Sequence, residues 1–150
     1  MARDRAAAIL VHDDQLLVMY RMTSGRSYYV FPGGGIDAGE TAQQAVVREI
    51  DEEASIAITV ERLLYELYYD NGDTHHYFLC KYLAGEPRLR NDTNEYRETL
   101  RGDLHKPMWL GLSALPGVVL YPAEVKDELI RDVTAGFSDR TRALTADALF

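Results

Sequence analysis

The sequence predicts an α/β fold, a mixed β-sheet covered on its faces by helices. Three observations lead there. Short apolar, β-branched or aromatic runs recur along the chain. The period turns helical in two places, over Glu40–Ala54 and after Pro122. No internal repeat or linker divides the 150 residues, so the chain reads as one domain over 1–150. Strands interrupted by two helices imply a sheet with helical layers.

RAAAILVH and QLLVMYR flank Asp13-Asp14 and read as a strand pair joined by a short turn. A polar connection, Thr23 to Ser27, leads to the strand YYVF, and Pro32-Gly33-Gly34-Gly35 then breaks the pattern. The helix from Glu40 to about Ala54 has Thr41 or Asp37 as its cap, with Val46, Val47, Ile50 and Ala54 on its apolar side. AITVERLLYELYY, the turn Asp70–Asp73 and HHYFLCKYL form a hairpin. Glu86 to Lys106 has ten charged residues in 21 and no apolar period, which predicts a long surface loop. PMWLGL is a further strand. Pro122 falls in the first turn of a helix whose stripe is Val125, Leu129, Ile130 and Val133, ending at Gly136. Residues 136–150 read as a loose tail or a short docking helix.

Sixteen Lys and Arg against 24 Asp and Glu give a net charge of −8. So acidic a chain lacks the footprint of a protein that grips nucleic acid by its phosphates, yet it can take small phosphorylated ligands through a divalent cation. The lone Cys80 forms no internal disulfide, no Cys/His cluster has zinc spacing, and a reducing cytoplasm is the expected setting. The apolar run Ala6–Val11 is too short for a signal peptide, and the uncharged stretch Met108–Ala123 is too short and too Pro-broken to span a membrane.

The chemistry concentrates in GGIDAGETAQQAVVREIDEEASI, residues 34–56. Glu49, Glu52 and Glu53 stand three and four apart, so they meet on one helix face and repel. A solvated acidic face, with Arg48 paired to Glu52, is one account of them. The Gly33-Gly34-Gly35 loop entering the helix favours another, a pocket for Mg²⁺ and a diphosphate, because glycine lets backbone approach a ligand closely.

The segment resembles the signature of the Nudix hydrolase family, G-x5-E-x7-R-E-U-x-E-E-x-G-U with U a bulky aliphatic residue. Gly34, Glu40, Arg48, Glu49, Ile50, Glu52, Glu53 and Ile56 fall on its fixed positions. Ser55 replaces the second glycine, which puts the helix-ending turn in question rather than the chemistry. The resemblance, MutT-like in character, implies a Nudix-type α/β/α sandwich and hydrolysis of a nucleoside diphosphate linked to another moiety. It implies Mg²⁺ or Mn²⁺ held by Glu49, Glu52 and Glu53 with the carbonyl of Gly33, Glu40 orienting ligands or waters, and Arg48 orienting a carboxylate. The base is Glu52 or Glu49, or a glutamate outside the signature. Of Glu95 and Glu98, the resemblance favours Glu95, because comparable loops in the family place a glutamate some distance before a strand Trp, here Trp109.

Arg88, Arg90, Arg97, Arg101 and Lys106 are candidate phosphate contacts, and one or two of Tyr28, Tyr29, Tyr65, Tyr68, Tyr69 and Tyr77 are candidates to stack on a base. In the family, subclasses that cleave ADP-ribose often carry a proline after the signature. None lies between Pro32 and Pro87, which by this resemblance argues against that subclass. The tyrosines loosely resemble those of diadenosine-polyphosphate hydrolases, a nucleoside triphosphate is an open default, and the sequence does not choose. A nucleotide sensor that does not cleave is the alternative function. The expected partner is a small-molecule nucleotide, not nucleic acid or membrane, and a homodimer follows family habit.

Overall fold

The computed structural model describes residues 4–148. Strand β1 (Arg5–His12) turns into β2 (Gln15–Thr23) through Asp13 and Asp14, both at positive φ (51° and 59°). A two-residue hairpin needs that left-handed pair, and Asp tolerates it. β3 (Arg26–Val30) runs antiparallel to β2. Gly33–Gly35, which the sequence marks as a break, instead forms a three-residue strand, β4, antiparallel to β1. Only a backbone without Cβ fits so close: a Cβ on Gly33 would lie 2.3 Å from the Ala6 carbonyl oxygen.

Helix α1 (Ala42–Ala54) starts two residues later than the sequence suggests, and Thr41 rather than Asp37 caps it. The Thr41 hydroxyl accepts from the Gln44 N–H at 3.1 Å while the Gln44 side chain accepts from the Thr41 N–H at 2.9 Å, a closed capping box. Its buried side is Ala45, Val46, Ile50 and Ala54, so three of the four predicted positions are buried, while Val47 is exposed and Ala45 takes its place. Ser55 ends the helix at φ 58°, in the left-handed region the family's glycine would occupy.

β5 (Ala57–Tyr69) and β6 (Thr74–Ala84) form the expected hairpin, and β6 lies parallel to β1. The charged stretch is not all loop: Asn94–Leu100 is a helix, α2, capped by the Thr93 hydroxyl. It buries no residue, hence the missing apolar period. β7 (Leu104–Gly111) pairs with β2, a 3₁₀ turn follows at Leu112–Gly117, and β8 (Leu120–Tyr121) lies parallel to β3. Pro122 is the cap of α3 (Ala123–Ala135), just outside the first turn where it was expected. The C-terminal segment is neither tail nor helix: Arg142–Ala146 is a strand, β9, parallel to β5. Residues 149–150 of that segment lie outside the described residues.

The mixed sheet runs β8-β3-β2-β1-β6-β5-β9, with β4 on β1 and β7 on β2. Alternation along β1 feeds two cores. Ala6, Ala8 and Leu10 face α1 with Leu17, Val46, Ile50 and Phe78, while Ile9 faces α3 with Leu16, Val18, Tyr65, Val125 and Leu129. The small Ala6 and Ala8 let α1 settle close to the sheet. The result is the expected α/β/α sandwich. Among the described residues no helix is long and apolar enough to cross a membrane.

Candidate metal and catalytic site

The inner face of α1 delivers its carboxylates to β4. The Gly33 N–H donates to Glu53 Oε2 at 3.1 Å. A Cβ on Gly34 would stand 2.4 Å from Glu49 Cδ, so glycine is what lets the carboxylate lie against the strand. Arg48 ties the group together. It grips Glu40 bidentately (2.8 and 2.9 Å), donates to Glu49 Oε1 at 2.8 Å and Glu52 Oε2 at 3.3 Å, and donates to the Gly35 carbonyl at 3.0 Å. Those bonds occupy the whole guanidinium fork, leaving no N–H for a phosphate.

The charges are unevenly compensated. Hydrogen bonds from Arg48 hold Glu40 down to about 2, and the same contacts push Arg48 above its ordinary range. Burial pushes Glu49 up, with Arg48 opposing. Burial pushes Glu53 up to about 8, reinforced by the charges of Glu49 and Glu95, with the Gly33 N–H and Arg5 opposing. The crowded, desolvated oxygens of Glu49 and Glu53, with the more open Glu52 one turn away on the same face, are the donor set a hard divalent cation suits, so these residues fit Mg²⁺ or Mn²⁺.

A cleft of about 480 Å³ opens over Gly33–Gly35, Glu49, Glu52 and Glu53. Its far wall includes Arg90, Thr93, Glu95 and Arg97 from the α2 segment. Of the two glutamates considered outside the signature, Glu95 reaches the cleft. Glu98 does not; it pairs with His105 Nε2 at 2.7 Å. Of the five basic residues proposed for phosphate, Arg90 and Arg97 line the cleft, whereas Arg88, Arg101 and Lys106 do not. Arg88 instead meets the end of α1 through its backbone, its carbonyl accepting from Ser55 Oγ at 2.8 Å. None of the six tyrosines lines the cleft; Tyr65 and Tyr77 are buried in the α3-side core.

Two features were missed from sequence. Arg5 lines the cleft and donates to the Gly33 carbonyl at 3.4 Å; only the β1–β4 pairing brings these distant positions together. Glu98, Asp103 and His105 present ligand atoms within 4.8 Å of one another, beside Arg21, whose guanidinium donates to Asp103 at 2.8 Å.

A glycine strand opposed by three carboxylates of one helix, inside an α/β/α sandwich, defines a Nudix-type domain. The chain belongs to that family: the NUDIX domain model matches residues 2–132. It is 32% identical over 118 residues to the MutT4 protein of Mycobacterium tuberculosis (strain CDC 1551 / Oshkosh), covering 71% of this chain and 44% of that protein. It is 43% identical over 60 residues to the 8-oxo-dGTP diphosphatase of Escherichia coli (strain K12), covering 38% of this chain and 46% of that one. The chain thus spans less than half the length of these two relatives in its matches. A NUDIX hydrolase structure from Nitrosomonas europaea superposes with a TM-score of 0.73 at 15% identity, over 97% of this chain and 80% of the other, which shows the fold.

Proposed function

We propose that the chain hydrolyses a pyrophosphate bond in a nucleoside diphosphate derivative, a nucleoside triphosphate above all, with Mg²⁺ or Mn²⁺ held by Glu49, Glu52, Glu53 and the Gly33 carbonyl. The carrying observation is the undercompensated carboxylate group on α1, packed against a strand whose glycines admit it. Bound there, the cation supplies charge neutralisation at the diphosphate and lowers the pKa of water. Glu95, facing this group across the cleft, accepts the proton of the attacking water as its oxygen bonds to phosphorus and the bridging P–O bond breaks. Glu52 or Glu49 is the alternative acceptor. Arg48 and Glu40 hold the carboxylates in place; Arg5, Arg90 and Arg97 line the cleft as the cations to meet substrate oxygens, Arg90 by giving up its pairs with Asp51 and Asp92 and Arg97 its bond to Asn94. The 8-oxo-dGTP diphosphatase among the relatives supports the triphosphate class. With this reading go a small-molecule substrate rather than nucleic acid, a single 1–150 domain, a cytoplasmic setting and a homodimer.

The test is phosphate-product release from dNTPs, 8-oxo-dGTP, ADP-ribose, sugar nucleotides and dinucleoside polyphosphates, each with Mg²⁺, Mn²⁺ or EDTA. Cleavage of one class that EDTA abolishes is the expected result. Glu52→Gln should lower turnover by several orders of magnitude in a folded protein, and retained turnover would reject the metal-site assignment. Silence across the panel, with thermal stabilisation by a nucleotide, would mark a sensor.

A further inference from the structure

Glu95 rides on a short helix with no fully buried residue: α2 is seven residues long and lies against β7 with Glu95, Tyr96, Glu98 and Thr99 only half-buried. Hydrogen bonds tie down both of its ends. At its N-terminal end the Arg90 carbonyl accepts from Thr93 Oγ, and the Arg90 guanidinium reaches Asp51 on α1 at 3.1 Å. That ion pair is exposed on both sides, and such pairs hold weakly. The C-terminal end is tied differently. Thr99 Oγ donates to the Glu95 carbonyl at 2.9 Å and accepts the His105 N–H at 2.9 Å. His105 Nε2 meets Glu98 Oε2 at 2.7 Å, and the His105 ring is only 8% exposed. The Asp103 N–H donates to the Glu98 carbonyl at 3.0 Å, and its carboxylate takes Arg21 from β2.

We propose that His105, acting with Thr99, is the positioning residue that anchors α2 to the sheet and thereby keeps Glu95 at the carboxylate cleft. The inference rests on reading Glu95 as the proton acceptor. Glu95 lies one helical turn before Glu98 and Thr99, so a pivot at the His105 anchor transmits directly to it. The same three side chains, Glu98, Asp103 and His105, could be taken for a cation site. Arg21 already meets the charge of Asp103 and Glu98 already occupies the ring nitrogen, so the group is complete as a clamp.

The test compares His105→Ala, His105→Gln, Glu95→Gln and the double variant His105→Ala/Glu95→Gln, with Mg²⁺ and the fastest-cleaved nucleotide of the panel. Hydrogen exchange of amides 94–100 is read alongside. His105→Ala should lower kcat on the order of tenfold to hundredfold at little-changed KM, since small misplacements of a reacting group cost that much. Gln, which can still bond Glu98, should restore most of it. The double variant should be no slower than Glu95→Gln alone, and only the His105→Ala variants should lose protection at 94–100. Protection retained in His105→Ala, or losses that multiply in the double variant, would overturn the anchor. Unchanged turnover in Glu95→Gln with protection lost in His105→Ala would sink the Glu95 reading and leave the anchor standing. Should His105→Ala not fold, Thr99→Val removes the second tie and carries the same comparison.

Discussion

Gly33 and Gly34 are adjacent and both indispensable, for different reasons. A methyl on Gly33 meets the Ala6 carbonyl at 2.3 Å and Ala7 Cα at 2.6 Å, backbone atoms of the β1–β4 ladder that cannot yield. Gly33→Ala should destabilise the protein by about 2–3 kcal/mol, read as a shifted urea midpoint. A methyl on Gly34 meets the end of the Glu49 side chain, which can swing aside. Gly34→Ala should therefore fold almost as well while Mg²⁺ affinity by calorimetry and turnover fall on the order of a hundredfold. Equal losses of stability in the two variants would contradict this division. At this scale much of the site was legible, because helical spacing alone aligns Glu49, Glu52 and Glu53. Arg5 was not, because nothing local links a residue of β1 to one of β4. Val47 is exposed and Ala45, two residues earlier, holds the buried place, because both flank Val46 and an apolar side chain at the helix edge fits the period as well as Ala45 does.

Elements were legible where they bury a periodic face and illegible where they do not. β1, β2, β5 and β6 alternate or run apolar, and α1 carries a stripe and a cap. α2 buries nothing, and β9 exposes Ala143 and Thr145 between half-buried neighbours, too short an alternation to read. Besides its ladder with β5 and the packing of Leu144 and Ala146 on the core, a polar knot secures β9. Arg142 pairs with Glu128 and with Asp132 Oδ1 on α3, and Asp132 Oδ2 accepts from the Tyr65 hydroxyl at 2.5 Å in the core. Asp132 is 2% exposed and Tyr65 fully buried, so Asp132→Ala strands a buried hydroxyl and should cost on the order of 3 kcal/mol. Tyr65→Phe removes only the donor and leaves Asp132 to Arg142, for about 1 kcal/mol. The reverse order in chemical unfolding would show that the knot does not help to hold the strand. Ser55 is the other element-scale test. Its left-handed φ costs on the order of 1 kcal/mol, yet its hydroxyl bonds the Arg88 carbonyl at 2.8 Å. Ser55→Gly relieves the first and loses the second, so the melting temperature should move by no more than a few degrees.

Across the whole molecule, stability against acid follows from which groups the fold keeps from their ordinary proton affinity. The architecture itself was legible, since two helices among many strands leave few other ways to bury both sheet faces. The placement of single charged groups was not, because it depends on strand register. His75 on β6 is opposite Arg5 of β1 in that register. Burial first, and then Arg5, push it from an ordinary 6.5 down to about 4, against Asp73 and Asp4, with His76 adding to the fall. Between those values the unfolded chain binds the extra proton and the folded one does not. The His75 contribution is therefore complete above about pH 6.5 and is lost as pH falls toward 4. Glu40, Asp92, Asp103 and Glu128, all held below their usual range, lose theirs only under more acidic conditions. Glu49 and Glu53 shift the other way and offset part of the early loss, so the wild-type curve alone does not isolate His75. His75→Gln does, because it deletes one titration and leaves the carboxylates unchanged. The gap in urea midpoint between pH 7 and pH 4.5, measured in EDTA, should be smaller in His75→Gln than in the wild type, and the two curves should run parallel above pH 7. Parallel curves throughout would mean that the ring takes up its proton inside the folded sheet without penalty, and that the burial of β6 beside Arg5 does not govern the acid limb.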